Sequence, residues 1–235
     1  MARTETIAAD RVHGFIAHAD NPSGGVLILP TITGVDPPMQ AIAGQLADAG
    51  LTALLWDPFA GDTSNPTDHP ALMARAGKLR DDLVDTHLTA CLDHMLGPLR
   101  LKSVAVLGFC LGGRYSLLLA AHDKRLAACA AFYPSVRVSM GPNQSRDPVA
   151  LAAQIACPVH LVQAGNDEVI VFPTFLKLRE VLEKRPVATL TQLHPGAVHS
   201  FMRPNLQSDA ANASATRMSW PPALAFLKDR LRVAA

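Results

Sequence analysis

The sequence lacks the features that mark most nucleic-acid-binding, membrane-spanning and exported proteins. Its 21 lysines and arginines nearly balance 20 acidic residues, which leaves a formal net charge of +1 and no basic run suited to phosphates or a membrane surface. No apolar stretch approaches the ~20 residues that cross a bilayer, and the N-terminus has no long apolar core of a signal peptide. We therefore expect a cytoplasmic protein without nucleic-acid or membrane partners.

Closely spaced cysteines are also absent. The four cysteines stand at positions 91, 110, 129 and 157, with no C-x-x-C pair. This spacing favours neither a disulfide framework nor a zinc site, so we expect no metal and no cofactor. Cys91, Cys129 and Cys157 lie in apolar segments, which predicts small buried side chains. Cys110 stands instead in a glycine-flanked turn.

The chain alternates between short apolar runs and amphipathic segments. With 235 residues, 49% of them apolar, it is long enough to bury a sizeable core, and it shows no linker or repeat, so we predict one domain over 1–235. Strands alternating with helices indicate an α/β fold with a mostly parallel central sheet and helices on both faces. Strands are predicted at 24–30, 51–57, 103–109, 126–133, 158–165 and 187–194.

Some segments carry more specific expectations. The N-terminal segments TETIAAD and VHGFIAHAD predict an antiparallel hairpin at one sheet edge, and Pro37 opens a helix over 37–50. One long amphipathic helix is predicted to carry Leu79, Leu83, Leu88, Leu92 and Met95. The pair Pro221-Pro222 is predicted to start the last helix. Loops at 58–70 and 139–148 are expected at the sheet end where open α/β sheets place their sites.

The segment SVAVLGFCLGGRYSLLLAA, residues 103–121, predicts a nucleophile on a sharp turn. Gly108, Cys110 and Gly112 form a G-x-nucleophile-x-G pattern between an apolar strand and an apolar helix, and side chains at the glycines would clash there. The helix N-terminus favours a thiolate at Cys110, and the amide of Leu111 would point at a developing oxyanion. The alternative is a tight turn with an inert buried cysteine.

A nucleophile of this kind needs an acid and a base, in that chain order. Asp167 follows the strand at 158–165, and His199 follows the strand at 187–194. Each has a simpler interpretation: Asn-Asp pairs favour turns, and a histidine is common in a loop. Because both residues come after strand ends and in the expected order, we predict that they form a triad with Cys110.

The motifs GFCLGG, AGNDEVI and HPGAVHSF, in that order, resemble those of the dienelactone hydrolase family of α/β-hydrolases. The resemblance runs from the strand at 25 to the helix after His199. It implies a Cys–His–Asp triad and an oxyanion hole formed by the amides of Ile32 and Leu111. It also implies that Arg203, four residues after His199, binds a substrate carboxylate.

The sequence departs from the family pattern at two places. The family usually carries a glutamate just before the oxyanion-hole residue, where it helps to activate the cysteine, and Thr31 occupies that position here. A threonine hydroxyl cannot act as a carboxylate base. The second arginine that binds the substrate carboxylate has no secure counterpart, since Arg75 and Arg80 lie in a segment of uncertain register.

Three hypotheses about function follow. The first is hydrolysis of a small ester or lactone of the dienelactone (carboxymethylenebutenolide) type through a thioester acyl-enzyme, which Arg203 favours. The second is a broad carboxylesterase with no carboxylate requirement, which Thr31 favours. The third is a hydrolase-like binding protein without catalysis. The expected partner is a small ester or lactone, and the protein is expected to be a monomer or a homodimer.

Overall fold

One sheet of eight strands forms the centre of the part of the chain that the computed structural model describes, residues 2–60, 62 and 67–232. Its spatial order is β1-β2-β4-β3-β5-β6-β7-β8. The strands are β1 (Arg3–Ala9), β2 (Val12–His18), β3 (Gly24–Leu29), β4 (Leu51–Trp56), β5 (Val104–Phe109), β6 (Leu126–Phe132), β7 (Val159–Asn166) and β8 (Thr189–Val198).

The pairing of the strands confirms the predicted α/β class. From β4 through β3 and β5 to β8 all neighbours are parallel, whereas β2 is antiparallel to both β1 and β4. The predicted hairpin is therefore present at one edge. Every residue of β3, β4 and β5 is buried. Because successive side chains of a strand point to opposite faces, both faces of the central sheet are covered, as continuous apolar runs require.

Seven α-helices connect and cover these strands within the described residues. They are α1 (Pro37–Asp48), α2 (His69–Ala76), α3 (Asp81–Leu96), α4 (Leu111–His122), α5 (Pro148–Leu151), α6 (Phe172–Glu183) and α7 (Ala210–Arg230). Short 3-10 turns follow α5 at Ala152–Gln154 and precede α7 at Pro204–Leu206. None of the helices described is long and apolar enough to span a bilayer.

The predicted long helix is present as α3, but the prediction that it includes Leu79 is wrong. Leu88, Leu92 and Met95 are buried on α3 as expected, but Leu79 lies in the connection between α2 and α3, and Leu83 is 51% exposed. The break has a local and a distant cause. Gly77 ends α2, and its carbonyl accepts a hydrogen bond from the side chain of Asn143, so the chain turns before α3 begins.

The prediction that Pro221-Pro222 starts the last helix is also wrong. α7 begins eleven residues earlier, where the carboxylate of Asp209 accepts a hydrogen bond from the amide of Asn212 and caps the helix. The prolines lie inside the helix. Pro222 has no N–H for the carbonyl of Met218, and the side-chain amide of Gln192 on β8 donates to that carbonyl at 3.4 Å instead.

The last strand is longer than the predicted 187–194, because β8 continues to Val198, which pairs with Asn166 of β7. Phe109, Phe132, Asn166 and Val198 thus end parallel strands at one edge of the sheet. The residues that follow these ends form the candidate site. In the predicted loop 58–70, residues 61 and 63–66 lie outside the described residues.

Candidate active site

Cys110 occupies a sharp turn between β5 and α4. Its backbone has φ 53° and ψ −113°, a strained conformation for a side chain with a Cβ. A Cβ added at Gly108 would overlap the carbonyl of Gly112, and one added at Gly112 would overlap the carbonyl of Leu29. The turn therefore requires both glycines, as the sequence predicts, and it leaves the thiol at the N-terminus of α4.

The structure brings Cys110, Asp167 and His199 together. Nε2 of His199 lies 3.0 Å from Sγ of Cys110, and its Nδ1 lies 2.9 Å from Oδ2 of Asp167. Oδ1 of Asp167 also accepts hydrogen bonds from the amides of Val169 and Ile170 at 2.8 and 3.0 Å. These bonds fix the carboxylate, which in turn fixes the imidazole ring with Nε2 directed at sulfur.

The surroundings of His199 favour its protonated form. Burial lowers the pKa of His199, but hydrogen bonds to Asp167 and Cys110, together with the negative charges of both partners, outweigh burial and raise the pKa to about 10. A protonated imidazole is the partner that stabilises a thiolate. The pair can therefore supply a nucleophile and hold a proton for a leaving group.

Tyr133 packs against the histidine and was not identified from the sequence. It follows β6 at the same sheet edge, has φ 36°, and is 1% exposed. Its ring lies edge-on to His199 at 5.4 Å between centroids and to Phe201 at 5.1 Å. Burial raises the pKa of its hydroxyl well above the usual value, so it stays neutral. Its position after an apolar strand is the only signal that the sequence carries.

Two backbone amides lie where an oxyanion hole is expected. Leu111 is the first residue of α4, and Ile32 lies in the turn after β3. Among the described residues neither amide N–H has a backbone or side-chain acceptor. The amide of Gly112 donates to the carbonyl of Pro30 at 2.9 Å, which ties the turn of Ile32 to the start of α4. Two unpaired donors are thereby held near Cys110.

A cavity of about 610 Å³ is lined by Cys110 and His199, and it has a cationic character. Arg203, predicted from the sequence, lies on its wall, and so does Arg137, which was not predicted. No aspartate or glutamate lines the cavity among the described residues, and neither guanidinium has an acidic partner there. The cavity is therefore suited to an anionic molecule.

Arg75 and Arg80, the uncertain candidates for a second substrate arginine, do not line this cavity. Arg75 stacks on Phe59 at 3.8 Å and donates to the carbonyls of Ile32 and Thr33, each at 3.4 Å. Arg80 pairs with Asp82 on the exposed start of α3. Arg75 thus braces the turn that carries Ile32, and Arg80 has no contact with the site.

One wall of the cavity comes from the predicted loop at 139–148, with Ser139, Met140, Gly141, Pro142 and Gln144 in its lining. A buried ion pair holds this loop in place: Asp81 at the start of α3 accepts two hydrogen bonds, at 2.7 and 2.9 Å, from Arg114 on α4. Its Oδ2 also accepts from the amides of Ser145 and Arg146, both at 2.9 Å. The wall is therefore anchored to the helix that follows Cys110.

The parallel sheet, the nucleophile turn and the acid and histidine after later strands define an α/β-hydrolase. Residues 12–231 match the model of the dienelactone hydrolase family, and the chain belongs to that family. It is 28% identical to a carboxymethylenebutenolidase of Rhodococcus opacus, over 99% of this chain and 92% of that protein.

Solved structures share the fold over nearly the whole chain. A candidate dienelactone hydrolase of Klebsiella pneumoniae is 24% identical, with a TM-score of 0.81 over 97% of this chain and 98% of the other. A dienelactone hydrolase-like promiscuous phosphotriesterase from metagenomic libraries is 21% identical, with a TM-score of 0.79 over 97% and 99%. These likenesses in fold agree with the family match.

Proposed function

We propose that this protein hydrolyses small esters or lactones through a Cys–His–Asp triad and a thioester acyl-enzyme. The observation that carries the proposal is the contact at 3.0 Å between Nε2 of His199 and Sγ of Cys110, on a strained turn at a helix N-terminus. Asp167 holds the other ring nitrogen at 2.9 Å. A sulfur nucleophile, a proton carrier and an orienting acid are then in one hydrogen-bonded chain.

In the acylation step His199 holds the proton of Cys110, and the thiolate sulfur adds to the carbonyl carbon. The amides of Ile32 and Leu111 hold the oxyanion, each contributing about 3 kcal/mol. The C–O bond then breaks, and His199 returns its proton to the leaving alkoxide. An ester releases its hydroxyl-bearing product at this point, whereas the hydroxyl of an opened lactone stays attached to the acyl group. In both cases the acyl group stays on sulfur as a thioester.

In the second step water adds to the thioester carbonyl and gives a proton to His199. The C–S bond breaks, the acid is released, and the proton on His199 restores the resting pair with Cys110. Enol lactones and phenyl esters have good leaving groups, which suits a thiol nucleophile. His199 carries the proton in both steps, and water supplies the oxygen and hydrogen that hydrolysis adds, so the cycle balances with water as the second reactant.

The cavity supports a substrate that carries a carboxylate. Arg203 and Arg137 line it, and no acidic side chain does so among the described residues. A guanidinium can pair a carboxylate with two parallel hydrogen bonds. The second candidate is a broad carboxylesterase without a carboxylate requirement. It is favoured by Thr31, which stands where the family usually has a glutamate.

The test is ring opening of an unsaturated five-membered lactone that bears a free carboxylate, compared with its neutral carboxamide and followed by ultraviolet absorbance. Wild type should open both, and Cys110→Ala neither. Arg203→Ala should cost about 2–4 kcal/mol in kcat/KM on the carboxylate lactone, the scale of losing one partner of a charge pair that the bound substrate covers and desolvates. The fold-loss in kcat/KM that Arg203→Ala causes on the carboxamide should be at least about ten times smaller than its fold-loss on the carboxylate lactone.

Arg217→Ala is the matched control, because Arg217 is exposed on α7 and does not line the cavity. Equal losses on the two lactones in Arg203→Ala would favour the broad carboxylesterase. Full activity in Cys110→Ala would reject the triad. Absence of hydrolysis by wild type on both lactones and on p-nitrophenyl acetate would favour the hydrolase-like binding protein.

A further inference from the structure

A short chain of hydrogen bonds runs from the cavity wall to a carboxylate behind it. Oγ1 of Thr31 lies 2.7 Å from Oγ1 of Thr33, which lies 2.6 Å from Oδ2 of Asp36. Oδ1 of Asp36 accepts from the amide of Met39 at 2.9 Å and caps α1. The start of α1 thus holds the carboxylate of Asp36, and the hydroxyls of Thr33 and then Thr31 continue the hydrogen-bonded chain toward the cavity.

The direction of each bond in this chain is fixed by proton counting. A carboxylate only accepts hydrogen bonds, so Thr33 must donate its single hydroxyl proton to Asp36. Thr33 then has no proton left for Thr31, and Thr31 must donate to Thr33. Toward every group other than the hydroxyl of Thr33, the hydroxyl oxygen of Thr31 can therefore only accept a hydrogen bond. One such donor is the amide of Thr33 at 3.3 Å, which leaves one lone pair unused.

Thr31 lies at the wall of the cavity that holds the reacting centre. Thr31 lines the same cavity as Cys110, although it is only 6% exposed. It immediately precedes Ile32, whose amide is placed in the oxyanion hole by the proposed function. Four covalent bonds separate Oγ1 of Thr31 from that amide nitrogen, which keeps the two atoms within about 5 Å. This reach covers a substituent on the carbon next to the scissile carbonyl.

We propose that Thr31 accepts a hydrogen bond from a hydroxyl group on the acyl carbon next to the scissile carbonyl. This inference rests on the proposed function and narrows its substrate class to 2-hydroxyacyl esters and lactones. The charge of Asp36, passed through Thr33, strengthens the acceptor because donors and acceptors in a chain polarise one another. An ether oxygen in place of the substrate hydroxyl can only accept a hydrogen bond, as Thr31 also does. Binding of a 2-alkoxyacyl substrate is therefore disfavoured.

The experiment uses phenyl esters of three acids with the same carbon branching: lactic acid offers a hydroxyl donor, isobutyric acid a methyl group, and 2-methoxypropanoic acid an acceptor alone. Phenol release is followed for wild type, Thr31→Val, Thr31→Ser and Thr33→Val. Thr86→Val is the matched control, because Thr86 is exposed on α3 and donates only to its own helix. For each variant, kcat/KM on one ester is divided by kcat/KM on another. This ratio removes any change in activity that affects all the esters equally.

The lactate-to-isobutyrate ratio should fall about tenfold in Thr31→Val, the scale of one neutral hydrogen bond, and should be kept in Thr31→Ser. Thr33→Val frees the proton of Thr31, which can then donate to the cavity. The methoxypropanoate-to-isobutyrate ratio should therefore rise in Thr33→Val by several-fold over wild type. Thr86→Val should keep both ratios. A structural role for Thr31 or Thr33 would not produce these opposite changes.

The proposal is overturned if wild type and Thr31→Val have the same lactate-to-isobutyrate ratio within twofold while both hydrolyse the esters. That outcome leaves the proposed function intact. A methoxypropanoate ratio that is unchanged in folded Thr33→Val overturns the fixed direction of the chain. If wild type hydrolyses none of the three esters, the proposed function fails, and this inference fails with it.

Discussion

At the scale of single residues, the four cysteines have very different surroundings. Burial raises the pKa of Cys91 to about 12 and that of Cys157 to about 11, and it raises that of Cys129 further. Their thiols are neutral and inert at physiological pH. Cys110 instead shares a hydrogen bond with a histidine whose pKa is raised to about 10, so a positive charge stands beside its sulfur.

Iodoacetamide at pH 7 should therefore label Cys110 much faster than the other three cysteines. The reaction requires a thiolate, and of the four cysteines Cys110 is the one that contacts an imidazolium able to stabilise a thiolate. Peptide mapping by mass spectrometry after timed quenching gives the rate at each position. In His199→Ala the rate at Cys110 should fall, since the positive partner is gone. Faster labelling of Cys91, Cys129 or Cys157 in the folded protein would remove the nucleophile assignment.

At the scale of secondary-structure elements, the pair of Asp81 and Arg114 joins α3, α4 and the loop at 139–148. Both side chains are almost wholly buried, at 3% and 2% exposed. Burial raises the pKa of Asp81, but hydrogen bonds and charge from Arg114 and the amides of Ser145 and Arg146 outweigh this and leave it lowered. The carboxylate of Asp81 thus joins the cavity wall to the helix after Cys110, and the Arg114 guanidinium adds a second link by donating to the carbonyl of Arg146 at 2.7 Å.

Asp81→Asn should lower the free energy of unfolding by about 3–5 kcal/mol, because it leaves the Arg114 guanidinium buried without its counterion. Urea denaturation measures the loss at neutral pH. The pKa of Asp81 is lowered from 3.8, so the wild-type advantage is present above that pH and should shrink as pH falls below it.

Asp82→Asn is the matched control, since Asp82 is the next residue on α3 and pairs with Arg80 at the exposed surface. It should leave the urea midpoint unchanged. A midpoint for Asp81→Asn equal to that of Asp82→Asn would show that the buried pair does not anchor the wall.

The elements that sequence patterns predict best are those with a local cause. Apolar runs located the central strands, and the glycine pair located the turn of Cys110. The long helix was expected to include Leu79, and the last helix was expected to begin at its internal prolines, because each prediction missed a contact across the fold. Asn143 holds the carbonyl of Gly77, and Gln192 serves the carbonyl that Pro222 leaves free. No window of sequence around either helix contains those partners.

The candidate site shows the same division. Cys110, Asp167 and His199 follow from motifs at strand ends, and the structure brings them into contact. Arg137, Tyr133 and the anchor formed by Asp81 and Arg114 carry no comparable motif. Asp81 and Arg114 stand 33 positions apart, and only the packing of α3 against α4 makes them partners.

At the scale of the whole molecule, charge is distributed unevenly. The chain is close to neutral, with a formal net charge of +1, yet the cavity beside Cys110 is lined by two arginines and no acid among the described residues. Attraction of an anion therefore arises at the cavity rather than from the protein as a whole. Local charge of this kind acts over about 10 Å at 0.1 M salt.

Raising the salt concentration from about 0.02 to about 0.5 M shortens the Debye length about fivefold and should lower kcat/KM for the carboxylate lactone by several-fold. The neutral carboxamide should respond far less, because it is not attracted by charge. Initial rates at constant pH measure both. An equal salt response of the two lactones would show that Arg137 and Arg203 do not steer the substrate.

The two arginines of the cavity, Arg137 and Arg203, also affect the last step of a reaction cycle, which is release of the acid. Hydrolysis of an ester creates a new carboxylate, so on the proposed function each turnover makes the cavity's contents more negative than before. The guanidiniums that attract the substrate would then hold its product at least as well. Turnover would be limited by departure of the acid, and accumulating product would slow the enzyme long before substrate is exhausted.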